Sequence, residues 1–384
     1  MRRIVVLGVA VALLSLSGPA AQAAPRLACG AVITQSTRLQ HDLVCPTGPA
    51  LQIEPDGAPV VLDLGGHTVR GTGTGIVVGP TGASTPVTVR NGAVTGFSAA
   101  VSLTYAPGTR LQDVKLVGPG RTATGSAGVA PKASPGYVLD HVDVSGFTNG
   151  LLVVAADGGR VSGSTFSGNG TAVALTPSVY SLDVVRSRVR DNDQGFALSQ
   201  STMTLVDSEV SRNGVGLSLF QSGVTVRRTT IAHNRTGIVG SSSQSRIDLT
   251  ASTVRSNGAG VLLVGYGLRG TNNLIEGNSF RGNGGPGLVV DLDERNPATA
   301  SLKISDNRFR NNGATPVDVG VAGVSDQGLA VRAGMNSVSV VVADNQARRN
   351  AGIGIDAVGV VDGGGNTARG NGGATQCVGV VCSR

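Results

Sequence analysis

Apolar and polar positions recur in a fixed layout through the middle of the chain. The stretches VDSEVSRNGVGLSL, VRRTTIAHNRTGIV and LTASTVRSNGAGVLL follow one another between Thr204 and Leu263. Each has an apolar anchor (Val210, Ile231, Val254), a hydroxyl residue two positions earlier (Ser208, Thr229, Ser252) and an asparagine three positions later (Asn213, Asn234, Asn257). These anchors are 21 and 23 residues apart. A period of that size marks stacked units, none of which buries its apolar face alone. The same register places further anchors at Val69, Val94, Val117, Val144, Phe166, Val189, Phe280, Phe309, Ala347 and Ala368, with one long interval of 38 residues.

Within each copy, short apolar runs such as Leu217-Ser218-Leu219 and Leu288-Val289-Val290 are broken by Gly, Asn and Ser. This is strand-and-turn patterning, and no copy carries an uninterrupted helical period. Three short strands per turn of about 22 residues predict an all-β chain wound as a parallel β-helix of about thirteen coils. The alternative, leucine-rich units, lacks its Leu-x-x-Leu-x-Leu spacing here. At about 4.8 Å per coil the solenoid would be a rod near 60 Å long. Its inward pairs are read as Leu217/Leu219, Val261/Leu263, Leu288/Val290 and Ile353/Ile355.

Stacking turns the sequence into vertical columns. The third residue after the anchor is Asn at 169, 192, 213, 234, 257, 283, 312, 350 and 371, and Phe at 97 and 147. Stacked amides can bond to their neighbours above and below, and Asn tolerates a left-handed turn. The second residue before the anchor runs Ser164, Ser187, Ser208, Thr229, Ser252, Asn278, Asn307, Asn345, Asn366. Both columns are read as structural ladders.

The opening Cys-bounded segment, the motif LDLGGHTVRG (62–71) and the ending GGGNTARGNGGATQCVGVVC (363–382) carry a resemblance. The chain resembles secreted bacterial right-handed parallel β-helix repeat proteins of the pectin-lyase-like superfamily. That resemblance implies a right-handed coil over nearly the whole mature chain, and leaves the activity open among lyases, hydrolases, epimerases and non-catalytic binders. The Asn-Thr-Asp, Asp-Asp, Gly-His-Gly and Arg-Ile-Lys signatures of polygalacturonases of this fold, and the Asp-Pro-His-Glu of alginate epimerases, are missing from the sequence.

Residues 1–23 read as a signal peptide: Arg2 and Arg3, an apolar run from Ile4 to Leu16, and Ala21-Gln22-Ala23 as cleavage site. No later run is long and apolar enough for a membrane span. Residues 24–59 are expected to form an N-terminal cap, 60–362 the β-helix, and 363–384 the last coil and C-terminal cap. Four cysteines allow three pairings. Distance along the stack favours Cys29 with Cys45 and Cys377 with Cys382, one bridge at each end, in an oxidising compartment. Insertions at 118–136, after Asp291 and at about 321–335 should leave the stack as loops.

The formal charge is +7. Arg255, Arg281, Arg310, Arg348 and Arg369 follow five consecutive anchors, with Arg190 and Arg212 at or beside that column lower down. Guanidinium groups stacked this closely repel unless anions oppose them, so polysaccharide or another polyanionic glycan is the expected partner. With seven Phe, four Tyr and no Trp, few rings are available to stack on bases, and nucleic acid is not expected. A monomer is expected. Calcium is the one cofactor considered, at Asp291, Asp293, Asp318 and Asp356, where oxygen ligands share adjacent coils. For catalysis the candidates are His141 with Asp143 near Lys132, as a uronate lyase or epimerase needs, and the pair Asp291 and Asp293 for hydrolysis. His67 reads as a corner residue of the LDLGGHTVRG motif. The leading expectation is an exported, non-catalytic binder of polysaccharide; the alternative is a carbohydrate-active enzyme with a divergent site.

Overall fold

The computed structural model describes residues 27–79, 85–268, 270, 273–292, 300–333 and 339–383. The proposed leader and its cleavage site, Asp293, Glu294 and Met335 lie outside the described residues. All described elements are strands or turns.

Three strands recur in each turn, here illustrated by Thr202–Val206, Glu209–Ser211 and Val215–Phe220. They define a first, second and third stack. Each strand pairs in parallel with its equivalent one turn later: Leu205 with Val226, Val210 with Ile231, Leu217 with Ile238. The pairing continues through about fourteen turns of a right-handed parallel β-helix. The extra turn relative to the thirteen anchors comes from the N-terminal side, where Leu43 lies in register with Val69. Stacked strands begin at Ala31–Ile33, which pairs with Leu51–Ile53.

The side-chain period of two sends alternate residues inward. The core is continuous and aliphatic, with Phe97, Phe147, Phe166, Phe196, Phe280 and Phe309 among its fully buried members. Phe280 and Phe309 stack with ring centroids 4.8 Å apart, the spacing of two coils. Two register assignments shift. The third anchor is Leu116, which pairs with Val94 and Val144, and not Val117. The inward pair of the last full coil is Ile355 and Ala357, aligned with Leu329 and Val331, and not Ile353 with Ile355.

The asparagine column forms the expected ladder. From Asn169 to Asn371 each Nδ2 donates to Oδ1 of the next asparagine at 2.9–3.1 Å. Each Nδ2 also donates to an anchor carbonyl one coil below, as Asn234 does to Val210 at 3.1 Å. The ladder opens at the Phe147 N–H, which donates to Asn169, and closes on Gln376, whose Oε1 accepts from Asn371. The left-handed conformation, however, belongs to the residue before each asparagine: Asp191, Arg212, His233, Ser256, Asn311 and Arg349 all have φ of 54–60°. Placing the left-handed turn one residue earlier lets the asparagine side chain point into the stack. The second column behaves alike. Ser187 N–H donates to Ser208 Oγ at 3.1 Å and Asn278 Nδ2 to Asn307 Oδ1 at 3.0 Å.

Cys29–Cys45 and Cys377–Cys382 are both bonded, one at each end of the rod. The first insertion is shorter than composition suggested, and the longest begins earlier in the chain. Residues 118–126 leave the stack between the second and third strands, but Ala127–Lys132 rejoins the third stack beside Ala99–Thr104. The long excursion occupies 311–328, and Leu329–Arg332 is again a third-stack strand. Val324 of that excursion packs on Val289 and Ala330, outward residues of the third stack, and so covers an apolar patch of the outer face.

Candidate functional site

The second stack carries the arginine ridge. Its last strands, Thr253–Arg255, Ser279–Arg281, Arg308–Arg310, Gln346–Arg348 and Thr367–Arg369, align Arg255, Arg281, Arg310, Arg348 and Arg369 one above another. Each flanks an inward anchor, so strand alternation forces its side chain out. Arg255 is half-buried and bonds through Nη1 to His233 Nε2 at 3.1 Å; the other four are exposed. Among the described residues none of the five pairs with a carboxylate.

Elsewhere on the rod arginines are neutralised across one coil. Arg212 Nε meets Asp191 Oδ1 at 2.7 Å, Arg228 Nε meets Asp207 Oδ1 at 2.7 Å, and Arg227 Nη2 meets Asp248 Oδ2 at 2.8 Å. The Arg212 hydrogen bond holds the Asp191 carboxyl below the usual carboxylate range, and Arg228 does the same for Asp207. Arg190 is also tied to Asp191, so the lower members of the column do not extend the bare ridge.

Toward the C-terminal end the ridge widens. Arg308, on the other side of the buried Phe309, and Arg349, at the left-handed corner, join Arg310, Arg348 and Arg369 around a depression of about 430 Å³. Gln346, in register above Arg308, also lines it. Arg308 and Arg349 were missed from sequence because only one column was followed; the same register holds both, one residue before and two after their anchors.

The other candidates are dispersed. His141 sits at a left-handed corner between Val138–Asp140 and Asp143–Ser145, φ 54°, so it does not share a continuous strand with Asp143. Its Nδ1 lies 3.2 Å from Asp140 Oδ1. Burial raises the Asp140 pKa, but hydrogen bonds from Ser162 and Arg110 outweigh it, and the carboxyl stays below its ordinary range. Asp143 is next to Lys115 and Thr165 in the second stack, whereas Lys132 belongs to the third. Asp291 is half-buried beside Arg332 in register. Asp356 is buried and accepts from Arg332 Nη2 at 2.6 Å; Asp318 accepts from the Gly320 N–H inside the long loop. Among the described residues no three His, Cys, Asp or Glu side chains gather as a metal site. His67 Nδ1 lies 3.3 Å from Asp42 Oδ1, in the corner role expected of it.

The outer face of the third stack is bland. Over seven coils its central outward column is Leu152, Ala174, Ala197, Ser218, Val239, Leu262 and Val289, in continuous register and without a charge; above them it runs through Ala330 to Asp356, which is paired with Arg332.

These features define a right-handed parallel β-helix of the pectin-lyase-like fold with a bare cationic ridge. A family model described as periplasmic copper-binding protein (NosD) matches residues 113–287. The A-module of the Azotobacter vinelandii mannuronan C-5 epimerase AlgE6 is similar in structure, with 13% identity, TM-score 0.50, and coverage of 86% of this chain and 91% of that one. The periplasmic alginate epimerase AlgG has 12% identity and TM-score 0.49, with 89% and 78% covered. The Dettilon tailspike protein has 15% identity and TM-score 0.45; 83% of this chain is covered, and it spans 60% of the tailspike's length. No curated protein matches the sequence. At these identities the likeness concerns the fold. Copper ligands are not assembled within 113–287: its two histidines, His141 and His233, face Asp140 and Arg255, and its one methionine, Met203, is buried in the core.

Proposed function

We propose that the protein is exported and binds an anionic polysaccharide along the ridge Arg255, Arg281, Arg310, Arg348 and Arg369. The observation that carries the reading is that these five arginines stand in unbroken register without a carboxylate partner among the described residues, whereas lower on the rod Arg190, Arg212, Arg227 and Arg228 are each paired with an aspartate. At about 5 Å, neighbouring unit charges repel by just under 1 kcal/mol even in bulk water. A polymer with regularly spaced anions relieves that repulsion along the whole column. Export is supported by the leader-like start and by two disulfides, which persist in oxidising compartments. The uncharged run from Leu152 to Val289 on the outer face of the third stack supports a binder over an enzyme working along those coils. The family description and the epimerase names belong to those proteins; copper and epimerisation are not part of the proposal.

The test is retention of a polyuronate on the immobilised mature protein across a salt series. Each exposed contact contributes under about 1 kcal/mol, so one Arg→Ala change should barely register while all five together should abolish retention. Rising salt should weaken the parent's binding. A folded five-fold variant that retains the polymer as the parent does would sink the proposal. Release of unsaturated or epimerised product in the same incubations would replace it with the enzymatic alternative.

A further inference from the structure

We infer that the C-terminal end of the ridge is a phosphate-binding depression, so that the ligand is a phosphate-bearing polyanion and not a simple polyuronate. This rests on the polyanion reading of the ridge and narrows its chemistry. The strand Arg308–Arg310 projects two guanidinium stems from one face, because Phe309 between them is buried. Arg348 and Arg369 continue upward from Arg310, and Arg349 turns in from the corner. Five arginines and the amide of Gln346 thus line about 430 Å³. Asp306 and Asp344, at the left-handed corners preceding these strands, are exposed, and neither forms an ion pair with the five. They bound the site with negative charge on the side of the first stack.

Counting donors against acceptors separates the ligand classes. A carboxylate brings one charge and two oxygens, which a single guanidinium fork satisfies. A phosphodiester, with one charge and two free oxygens, matches the carboxylate in this count, whereas a phosphomonoester brings up to two charges and three free oxygens. Planar guanidinium forks suit that geometry, and five around one depression exceed what one carboxylate can occupy. Along the rest of the ridge, with one arginine per coil, a carboxylate and a phosphate would be held alike. The depression is where they differ.

Inorganic phosphate, a polyol polymer bearing phosphomonoester groups, a polyuronate and vesicles with a phosphomonoester lipid headgroup would be titrated against the mature protein at fixed ionic strength, with sulfate as control. Two variants separate the parts: Arg308→Gln/Arg349→Gln alters the depression alone, and Arg255→Gln/Arg281→Gln alters the ridge alone. Circular dichroism and a thermal melt check that both fold. The expected result is that phosphate binds and competes with the phosphomonoester-bearing polymer. The depression variant should lose phosphate affinity by about tenfold or more, with polyuronate retention falling less than about twofold. The ridge variant should weaken retention of both polymers by similar factors while leaving phosphate affinity unchanged. Phosphate binding no tighter than sulfate, or unchanged in the depression variant, overturns the inference; retained polyuronate in that case leaves the ridge reading standing. Phosphate binding without retention of either polymer overturns the ridge reading and keeps the depression. The vesicle and polymer arms then identify which source of phosphate is held.

Discussion

Replacing Asn234 by alanine tests whether the ladder stabilises the rod by satisfying buried donors. Asn234 Oδ1 accepts two bonds, from the Asn213 N–H at 2.8 Å and from Asn213 Nδ2 at 3.0 Å. Its own Nδ2 donates to Asn257 Oδ1 at 3.0 Å and to the Val210 carbonyl at 3.1 Å. Asn257 Oδ1 keeps the Asn234 backbone N–H as a donor, at 2.9 Å, after truncation. Two N–H donors of Asn213 do not find a replacement, and Asn213 is only 3% exposed. Each buried, unsatisfied donor costs about 1–3 kcal/mol, which gives roughly 2–6 kcal/mol for the variant.

A control at the ladder's end separates bonding from mere side-chain loss. Gln376→Ala removes the same two bonds from Asn371, at 2.9 and 3.0 Å, and two that Gln376 Nε2 donates to the Asn371 and Gly373 carbonyls, at a half-buried side chain next to the end of the stack. Water can replace those partners, and a cost below about 1 kcal/mol is expected. Urea unfolding with matched slopes gives both values, and hydrogen exchange at the Asn213 amide should show lost protection in Asn234→Ala. Equal costs for the two variants, or a cost under about 1 kcal/mol for Asn234→Ala, would refute the reasoning.

Three further outcomes are expected. Gly159→Ala should destabilise by about 1–3 kcal/mol through overpacking, since a Cβ there would lie 2.3 Å from the ring of the buried Tyr137; a melting temperature equal to the parent's would count against it. Replacing Cys29 and Cys45 by alanine opens a loop of separation 16 and should cost about 3 kcal/mol, more than opening Cys377–Cys382 at separation 5, as judged by denaturant midpoints of the two double variants. Asp191 and Asp207, both held below their ordinary range by hydrogen bonds from Arg212 and Arg228, contribute stability that is complete above about pH 3.9 and lost as the pH falls through their lower folded values. Asp191→Asn/Asp207→Asn should therefore flatten the acid limb of a stability-versus-pH curve, and an unchanged limb would exclude these pairs as its source.

The fold was legible because its strongest requirement, partners for buried amides, is met by one residue type in nine coils from Asn169 to Asn371. Fine register was less so. In Lys115-Leu116-Val117 two apolar neighbours compete for the inward position, and only pairing with Val94 and Val144 decides for Leu116. Ala127–Lys132 was hidden inside a Gly-, Ala- and Pro-rich stretch whose composition reads as loop, although its backbone completes an ordinary rung beside Val101. His141 looked like a strand residue two positions from Asp143, but a single left-handed φ at His141 breaks the alternation on which that reading depends.

Whether the arginine column is bare could not be read from that column alone. It depends on the neighbouring one, two residues after each anchor, which turns the corner. There Asp191 lies within reach of both Arg190 and Arg212 and neutralises them. Above it the same column reads Arg212, His233, Ser256, Gly282, Asn311, Arg349 and Gly370, with no acid in any of them. The ridge from Arg255 to Arg369 is therefore unpaired because the corner beside it holds no carboxylate, and Arg349 adds charge where one could have been. Ser256→Asp would place a carboxylate beside Arg255 as Asp191 stands beside Arg190, and Asn311→Asp would place one between Arg310 and Arg349 as Asp191 stands between Arg190 and Arg212. If the bare ridge is what binds polyanions, those two exposed changes should weaken retention as truncating the arginines does, while every arginine is kept.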